Sequence, residues 1–447
     1  MKRSTSKSSR QSPRETLSLT IAELSPGGDG VAIHEAAGER RAVFVPGVAL
    51  GEEIRAEVDF SSRPARGRLL EVVSQSPDRT APPCAEVERC GGCDWMHVTP
   101  EAQLRAHASI VKSILPPAFA QAEVKSHPAT RTLGYRTRTR VHVDAKRGKV
   151  VVGMYGRRSH DPVPVDTCVV LDPVLDEARR ALAGWLDGAK GYGEAQLSLG
   201  HPHPAQGARR AVLELRWTGQ LPPDVFARLE RAVAGGPLAG ARIFDGNVTI
   251  PATIGDPTPW IDGADGAPLR LAPGGFSQAT EEGNTRLARR AAELSFELSP
   301  NPEGAVLELY AGAGNLTVLL AKERKVVAVE SDRSSCEAAR ANLEARGLSA
   351  RVVDADASTN AIPAPTKLVV IDPPRTGAKD VAKALATRPV GAVVYVSCDP
   401  PTLGRDLAIL AEGGYELRAI ETFEMFPQTS HVETVAALVH PLKSKVR

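Results

Sequence analysis

The sequence predicts a multidomain protein with α/β and β parts: an N-terminal OB-like β-barrel, a central mixed domain and a C-terminal doubly wound, Rossmann-like domain. Three observations predict this. The 447 residues exceed one ordinary domain, so two or three are expected. Between Leu271 and Arg447 short β-branched runs alternate with helical patterns, as in βαβ units. Between Glu15 and Ser76, five or so alternating runs are separated by turn residues.

Lys and Arg number 55 against 53 acids, a net charge of +2, so any nucleic-acid footprint must be local. No basic n-region followed by an apolar h-region opens the chain, and no apolar run is long enough to span a bilayer. A soluble cytoplasmic protein with no membrane partner is expected, and a monomer. In that compartment six cysteines point to metal binding or catalysis, not disulfides.

Residues 1–14 carry Lys2, Arg3, Lys7, Arg10 and Arg14 among serines with no acid, and read as a disordered basic tail. In residues 15–76, TLSLTIAEL alternates, SPGGDG turns, RAVFVP and EEIRAEVDF alternate again and GRLLEVV closes. Such a barrel is a common RNA-binding module, and Arg40, Arg41, Arg63, Arg66 and Arg68 would supply its charge; a generic small barrel gives the same pattern. Residues 77–270 form the central domain. Cys84, Cys90 and Cys93 are spaced C-x5-C-x2-C, Gly91 and Gly92 let the backbone turn around whatever the sulfurs hold, and Cys168 is a distant fourth candidate. An iron–sulfur cluster and a tetrahedral zinc both suit this set. Residues 99–115 read as a helix with Pro100 at its first position and Leu104, Ala108, Val111 and Leu115 on one face.

Leu133 to Val152 reads as a hairpin that places Arg136, Arg138 and Arg140 on one face, behind Tyr135 and with Lys146, Arg147 and Lys149 at the turn. These arginines could grip phosphates, or merely defend an edge strand by charge. Residues 171–271 show a helix, strands and many Gly/Pro turns, but no chemistry. Residues 271–447 then alternate strand and helix. The strands are AVLELY, KVVAVE, ARVVDADA, KLVVIDPPR and AVVYVS, with two more around 415–423 and 432–439.

Gly312 and Gly314 let the backbone approach a ligand at a helix N-terminus, and Glu330 ends the next strand, where it can bond ribose hydroxyls. That pattern fits NAD or S-adenosylmethionine. Thr317 occupies the third glycine position, so the dinucleotide fingerprint is incomplete, and an NAD site has no use for Asp372-Pro373-Pro374 or for Cys398 at the end of AVVYVSC. A cysteine there is a buried structural residue or a nucleophile where open α/β sheets hold ligands.

The ordered set C-x5-C-G-G-C, LGYRxRxR, FSQ, LELYAGAGNLT, IDPPR, VSCDPPTL and MFPQTSHVET resembles the uracil-5 RNA methyltransferases. The resemblance implies a TRAM domain at the N-terminus, a class I methyltransferase domain at the C-terminus, and S-adenosylmethionine as methyl donor. It implies Cys398 as nucleophile and Glu433 as base. Cofactor positions fall on Gln278, Tyr310, Asn315, Glu330, Asp356 and Asp372, beside Gly312 and Gly314. A 4Fe–4S cluster falls on Cys84, Cys90, Cys93 and Cys168. The version with both TRAM domain and cluster is similar to the bacterial 23S rRNA enzymes; archaeal-type tRNA relatives also carry both, so tRNA is the alternative substrate. An amine-directed RNA methyltransferase and an RNA-binding iron–sulfur protein without catalysis are the competing readings. Thr280 and Asp399 stand where many members have Asn, and Asp356 where some have an amide; Asp399 beside a thiolate would oppose its ionisation.

The chemistry explains the residue types. A thiolate adding to carbon 6 of uracil makes carbon 5 nucleophilic. Carbon 5 must then lose a proton, to Glu433 or, as the fallback, His431. Asp372 could orient the uracil by accepting from a ring N–H. The target base must leave its stack, so looped or single-stranded RNA is expected. Cys336 and the four tryptophans read as packing residues.

Overall fold

The computed structural model describes residues 14–36, 38–146, 148–202, 208–301, 303–359, 362–363 and 365–441. The basic tail, Arg14 excepted, and Arg147 of the hairpin turn lie outside the described residues. Two compact units are present where three domains were expected.

The first unit comprises the described residues up to Pro83, Cys93–Ala106 and Gln428–Ser430. Its strands are β1 (Arg14–Thr20), β2 (Glu23–Leu24), β3 (Gly30–Ala36), β4 (Glu39–Val45), β5 (Glu53–Asp59) and β6 (Ala65–Ser74). Alternation decides their facing: in β5, Ile54, Ala56 and Val58 are buried with Val43 and Val45 of β4, while Glu53 and Arg55 face out. The sheet order is β1-β5-β6-β4-β3-β2. Only Ile21 and Ala22 separate β1 from β2, so the two ends of the sheet belong to one kinked segment. Trp95 is fully buried here, donating Nε1–H to Gly28 O at 3.1 Å, as its packing role predicts.

Four of the five arginines expected to supply a basic footprint are paired with acids: Arg40 with Glu35, Arg41 with Glu39, Arg66 with Asp29 and Arg68 with Glu57. A further pair is buried. Glu52, with no exposed side-chain surface, lies 2.5 Å from Arg79 Nε and accepts Ala49 N–H at 2.8 Å. Burial works to raise the Glu52 carboxyl, but Arg79 and the Ala49 N–H together hold it below its ordinary value. That stabilisation is therefore present above the ordinary carboxylate pKa and lost as pH falls below it. Arg79→Leu strands the Glu52 charge and is expected to cost about 3–5 kcal/mol at neutral pH. Chemical denaturation measures it, and a loss under about 1 kcal/mol would refute the assignment.

In chain order the remaining elements are α1 (Pro100–Ser113), β7 (Val124–His127), β8 (Arg138–Lys146), β9 (Lys149–Tyr155), β10 (Pro162–Pro164), α2 (Pro173–Trp185), β11 (Lys190–Pro202), β12 (Arg209–Gln220), α3 (Pro223–Gly235), β13 (Leu238–Asp245) and β14 (Ala252–Gly255). Next come β15 (Trp260–Asp262), β16 (Pro268–Arg270), α4 (Glu281–Leu298), β17 (Ala305–Leu309), α5 (Thr317–Leu320), β18 (Val326–Glu330), α6 (Arg333–Glu344) and β19 (Arg351–Asp354). The chain closes with β20 (Thr366–Ile371), α7 (Lys379–Thr387), β21 (Ala392–Ser397), α8 (Pro400–Glu412), β22 (Glu416–Phe423) and β23 (Glu433–Val439).

The second unit holds two large sheets. In the first, ordered β10-β9-β8-β11-β12-β13-β14, Val141, Leu197, Leu213 and Ile243 pack with Leu175 and Leu182 of α2 and Leu229 of α3. β8 lies between β9 and β11, so its arginines do not guard an edge. Arg138 and Arg140 share a face as expected, whereas Arg136 precedes the strand and bridges to Leu171.

The second sheet, ordered β19-β18-β17-β20-β21-β23-β22-β7, is parallel from β19 to β21, with β23 antiparallel to both its neighbours. Each strand feeds two layers. Leu307, Val369 and Val393 pack with Val381 of α7 and Leu407 of α8, while Val306, Val370 and Val394 pack with Leu287 and Leu294 of α4. This is the doubly wound arrangement the alternation predicted. One strand was not foreseen: β7, from the segment assigned to the central domain, pairs in parallel with β22. Likewise Ile261 of β15 and Leu269 of β16 pack with Val318 of α5 and Leu343 of α6.

Candidate active site

The carboxyl ends of β17, β18, β20 and β21 and the start of β23 converge on a cleft of about 1040 Å³ in the second unit. Gln278, Tyr310, Gly312, Asn315, Glu330, Asp372, Cys398 and Glu433 all line it. Two expected cofactor residues do not. At Gly314, φ is +85° and an added Cβ would press on Ala339 of α6 at 3.3 Å, so this glycine serves helix packing. Asp356 gives its carboxylate to Ser358 N–H and Oγ–H at 2.8 and 2.7 Å, hydrogen bonds that hold it below its ordinary pKa.

The glycine-rich turn is held from the next strand. Gly312, with φ +56°, donates its N–H to Glu330 Oε2 at 2.9 Å, and Glu330 Oε1 accepts from Asp332 at 2.8 Å. Tyr310 has φ +63°, a left-handed conformation rare for a residue with a side chain; such positions cost roughly 1–3 kcal/mol and cluster at functional sites. Asn315 Oδ1 accepts Ala264 N–H at 2.9 Å. Gln278 Oε1, Glu308 Oε2 and Glu433 Oε2 are buried without a partner. Unpaired buried polar atoms around a cavity of this size fit a site for a polar ligand.

Strand pairing brings the expected nucleophile and base together. Ser397 of β21 stands opposite Thr434 of β23, so Cys398, the next residue, and Glu433, the preceding one, meet at the same end of the ladder. Asp399 then caps α8, its Oδ1 accepting Thr402 N–H at 2.9 Å, with Pro400 in the first turn. Thr280 caps α4 in the same way through Gly283 N–H at 3.5 Å. Both departures from Asn therefore keep a capping side chain.

Burial pushes the Cys398 thiol up to about 12; Glu433 and Asp372 add to this and Arg375 opposes it. These two acids are the leading charges that oppose ionisation of the sulfur. Burial, and then Asp372, raises the Glu433 carboxyl well above its ordinary value, while burial alone takes Asp372 to about 7. A thiol raised this far gains thiolate about tenfold per pH unit near neutrality. Alkylation of Cys398 in the ligand-free protein, followed by peptide mass spectrometry from pH 7 to 9, is expected to rise with that slope. A plateau below pH 8 would contradict it.

Several lining residues gave no signal in the sequence. Glu308 of β17 is buried and raised to about 8 by that burial; its only trace was a lone carboxyl inside the apolar run AVLELY. Glu214, Arg216 and Arg242 line the cleft from the stretch that showed no chemistry. His431, the fallback base, lines it too.

All six cysteines are free, and Cys336 is buried as expected. Among the described residues no three His, Cys, Asp or Glu side chains are grouped to hold a metal ion. Gly92 N–H points at Cys90 Sγ at 3.4 Å. Gly91 is needed for close approach, since a Cβ there would meet Tyr155 O at 2.9 Å. Neither glycine has a positive φ, so neither is there for a left-handed turn around the sulfurs.

Two family models match the chain: a methyltransferase small domain over residues 272–392 and tRNA (uracil-5-)-methyltransferase over residues 364–440. The 23S rRNA (uracil(1939)-C(5))-methyltransferase RlmD of Pseudomonas entomophila is 34% identical over 440 residues, covering 94% of this chain and 92% of its own. RlmD of Alkalilimnicola ehrlichii is 33% identical over 450 residues, covering 96% and 97%. Among solved structures, the Pyrococcus abyssi tRNA (uracil-54, C5)-methyltransferase in complex with S-adenosyl-L-homocysteine superposes with a TM-score of 0.72 at 23% identity, over 95% of this chain and all of that one, and shows the class I methyltransferase fold. The chain belongs to the RlmD family of 23S rRNA uracil-C5 methyltransferases.

Proposed function

We propose that this protein transfers a methyl group from S-adenosylmethionine to carbon 5 of a uridine in 23S rRNA through a covalent adduct on Cys398. The observation that carries the reading is the meeting of Cys398 and Glu433 at one end of the β21–β23 ladder, inside the cleft that also holds Gln278, Glu330 and Asp372. The methyl donor supplies an electrophilic sulfonium methyl. The Cys398 sulfur adds to carbon 6 of the flipped uracil, and the electron pair displaced onto the ring makes carbon 5 the nucleophile. After transfer Glu433 takes the proton from carbon 5, the ring double bond re-forms and the sulfur leaves. Arg375 is the cation that favours the charged form of both groups. An amine acceptor would need neither a sulfur nor a carboxylate at that ladder end. Mapping 5-methyluridine in ribosomal and transfer RNA from a deletion strain tests the substrate: loss from 23S rRNA supports it, and loss confined to tRNA overturns it.

The finer assignments rest on the motif resemblance. The first unit's sheet, with its ends on one kinked segment, supports an OB-like TRAM domain that contacts RNA. A 4Fe–4S cluster is assigned to Cys84, Cys90, Cys93 and Cys168, and the N–H directed at Cys90 Sγ suits a sulfur that carries negative charge. Protein purified without oxygen is expected to be brown and to contain iron. Stoichiometric zinc, or no metal, would refute the cluster.

A further inference from the structure

The face of the central sheet opposite α2 and α3 carries Glu214 and Arg216 of β12 beside Arg242 and Phe244 of β13, through the pairings Glu214↔Arg242 and Arg216↔Phe244. Both guanidinium groups lie over the Phe244 ring, at 4.2 Å for Arg216 and 5.2 Å for Arg242. Glu214 stands between the two cations. Its Oε1 accepts from Arg216 Nε at 3.0 Å and lies 2.9 Å from Nη2, and its Oε2 accepts from Arg242 Nη1 at 3.1 Å. Arg242 also donates to Pro273 O at 2.5 Å, and a Cβ at Gly274 would strike Glu214 Oε2 at 2.1 Å, so the loop before Phe276 is pinned onto this group.

Two cations thus share one carboxylate, which leaves one positive charge uncompensated on the wall of the Cys398 cleft. Arg216 is fixed on one face by Phe244 and on one edge by Glu214, yet its side chain stays 60% exposed. Among the described residues its Nη1 has no hydrogen-bond partner. A planar cation held in this way matches an unstacked base and the phosphate beside it, which is how proteins read single-stranded RNA.

We propose that Arg216, supported by Phe244 and Glu214, is the platform on which the unpaired base next to the flipped uridine stacks, with Nη1 left to bond the adjoining phosphate. The inference rests on the reading that an RNA uridine is the substrate. It makes this sheet face a determinant of which uridine is chosen, through charge complementarity to RNA and continuity with the catalytic cleft.

The test uses the full-length protein and an RNA hairpin that the wild type methylates, with each nucleotide flanking the target in turn intact or abasic. For the wild type, one abasic position is expected to weaken binding by about tenfold. Arg216→Lys keeps the charge but not the plane. It is expected to bind the intact RNA about tenfold more weakly and to lose less than twofold further with the abasic RNA. S-adenosylmethionine binding should not change. If Arg216→Lys loses that binding, Phe244→Leu, which removes only the support, is read in its place. Equal sensitivity of variant and wild type to every abasic position overturns the proposal. So does a defect seen with ribosomal particles but not with naked RNA, which would mean that this face docks a protein. Failure of the wild type to methylate a uridine in any RNA would instead sink the functional reading itself.

Discussion

Cys398→Ala is expected to abolish methyl transfer, by a factor on the order of 10⁴ or more, while S-adenosylmethionine binding is retained. Nothing else at the end of β21 can replace the sulfur: Ser397 is buried and its hydroxyl bonds to Asp399 O at 3.2 Å, and Asp399 is occupied in capping α8. RNA carrying 5-fluorouridine at the target site gives the positive arm. Fluorine cannot leave carbon 5 as a proton does, so the wild type should form a complex that survives denaturation, and Cys398→Ala should not. Full turnover by the alanine variant would remove the covalent route altogether.

Glu433→Gln is expected to slow turnover about 10²–10⁴-fold by a different failure. Glutamine preserves the shape of the side chain in a position that is only 2% exposed, so folding should survive. It cannot take the proton from carbon 5, and the methylated base should stay attached to Cys398. A denaturation-resistant complex with ordinary RNA and S-adenosylmethionine is the diagnostic product. Normal release of methylated RNA would reassign the base, with His431, which lines the same cleft, next in line. The substitution also removes one of the two acids that oppose ionisation of Cys398, so alkylation of the free thiol should become faster.

Much of this site could be read before any coordinates. AVVYVSC, IDPPR and LELYAGAGN are short apolar strands that end in polar or glycine residues, and a parallel sheet necessarily gathers such ends along one edge. Gly312 and Glu330 both line the cleft and are joined by a hydrogen bond. Gly314 does not: it looked like part of the ligand turn, yet the space its missing side chain leaves is filled by Ala339 of α6. Asp356 falls outside the cleft for a related reason, since the turn after β19 uses its carboxylate locally.

What the chain order of residues settled alone was the alternation of strands and helices, the candidates for the reacting groups and the strand ends that carry them, because local periodicity and side-chain chemistry need no knowledge of distant neighbours. Tertiary structure alone decided the rest. It set Glu433 opposite Cys398, carried β7 to the far edge of the sheet, buried Glu308 at the cleft, and made Arg216 and Arg242, from a stretch that showed no chemistry, part of the cleft wall. Those outcomes depend on strand register and on which faces meet between segments far apart in sequence, and such pairing energies are set by burial and shape in the folded state.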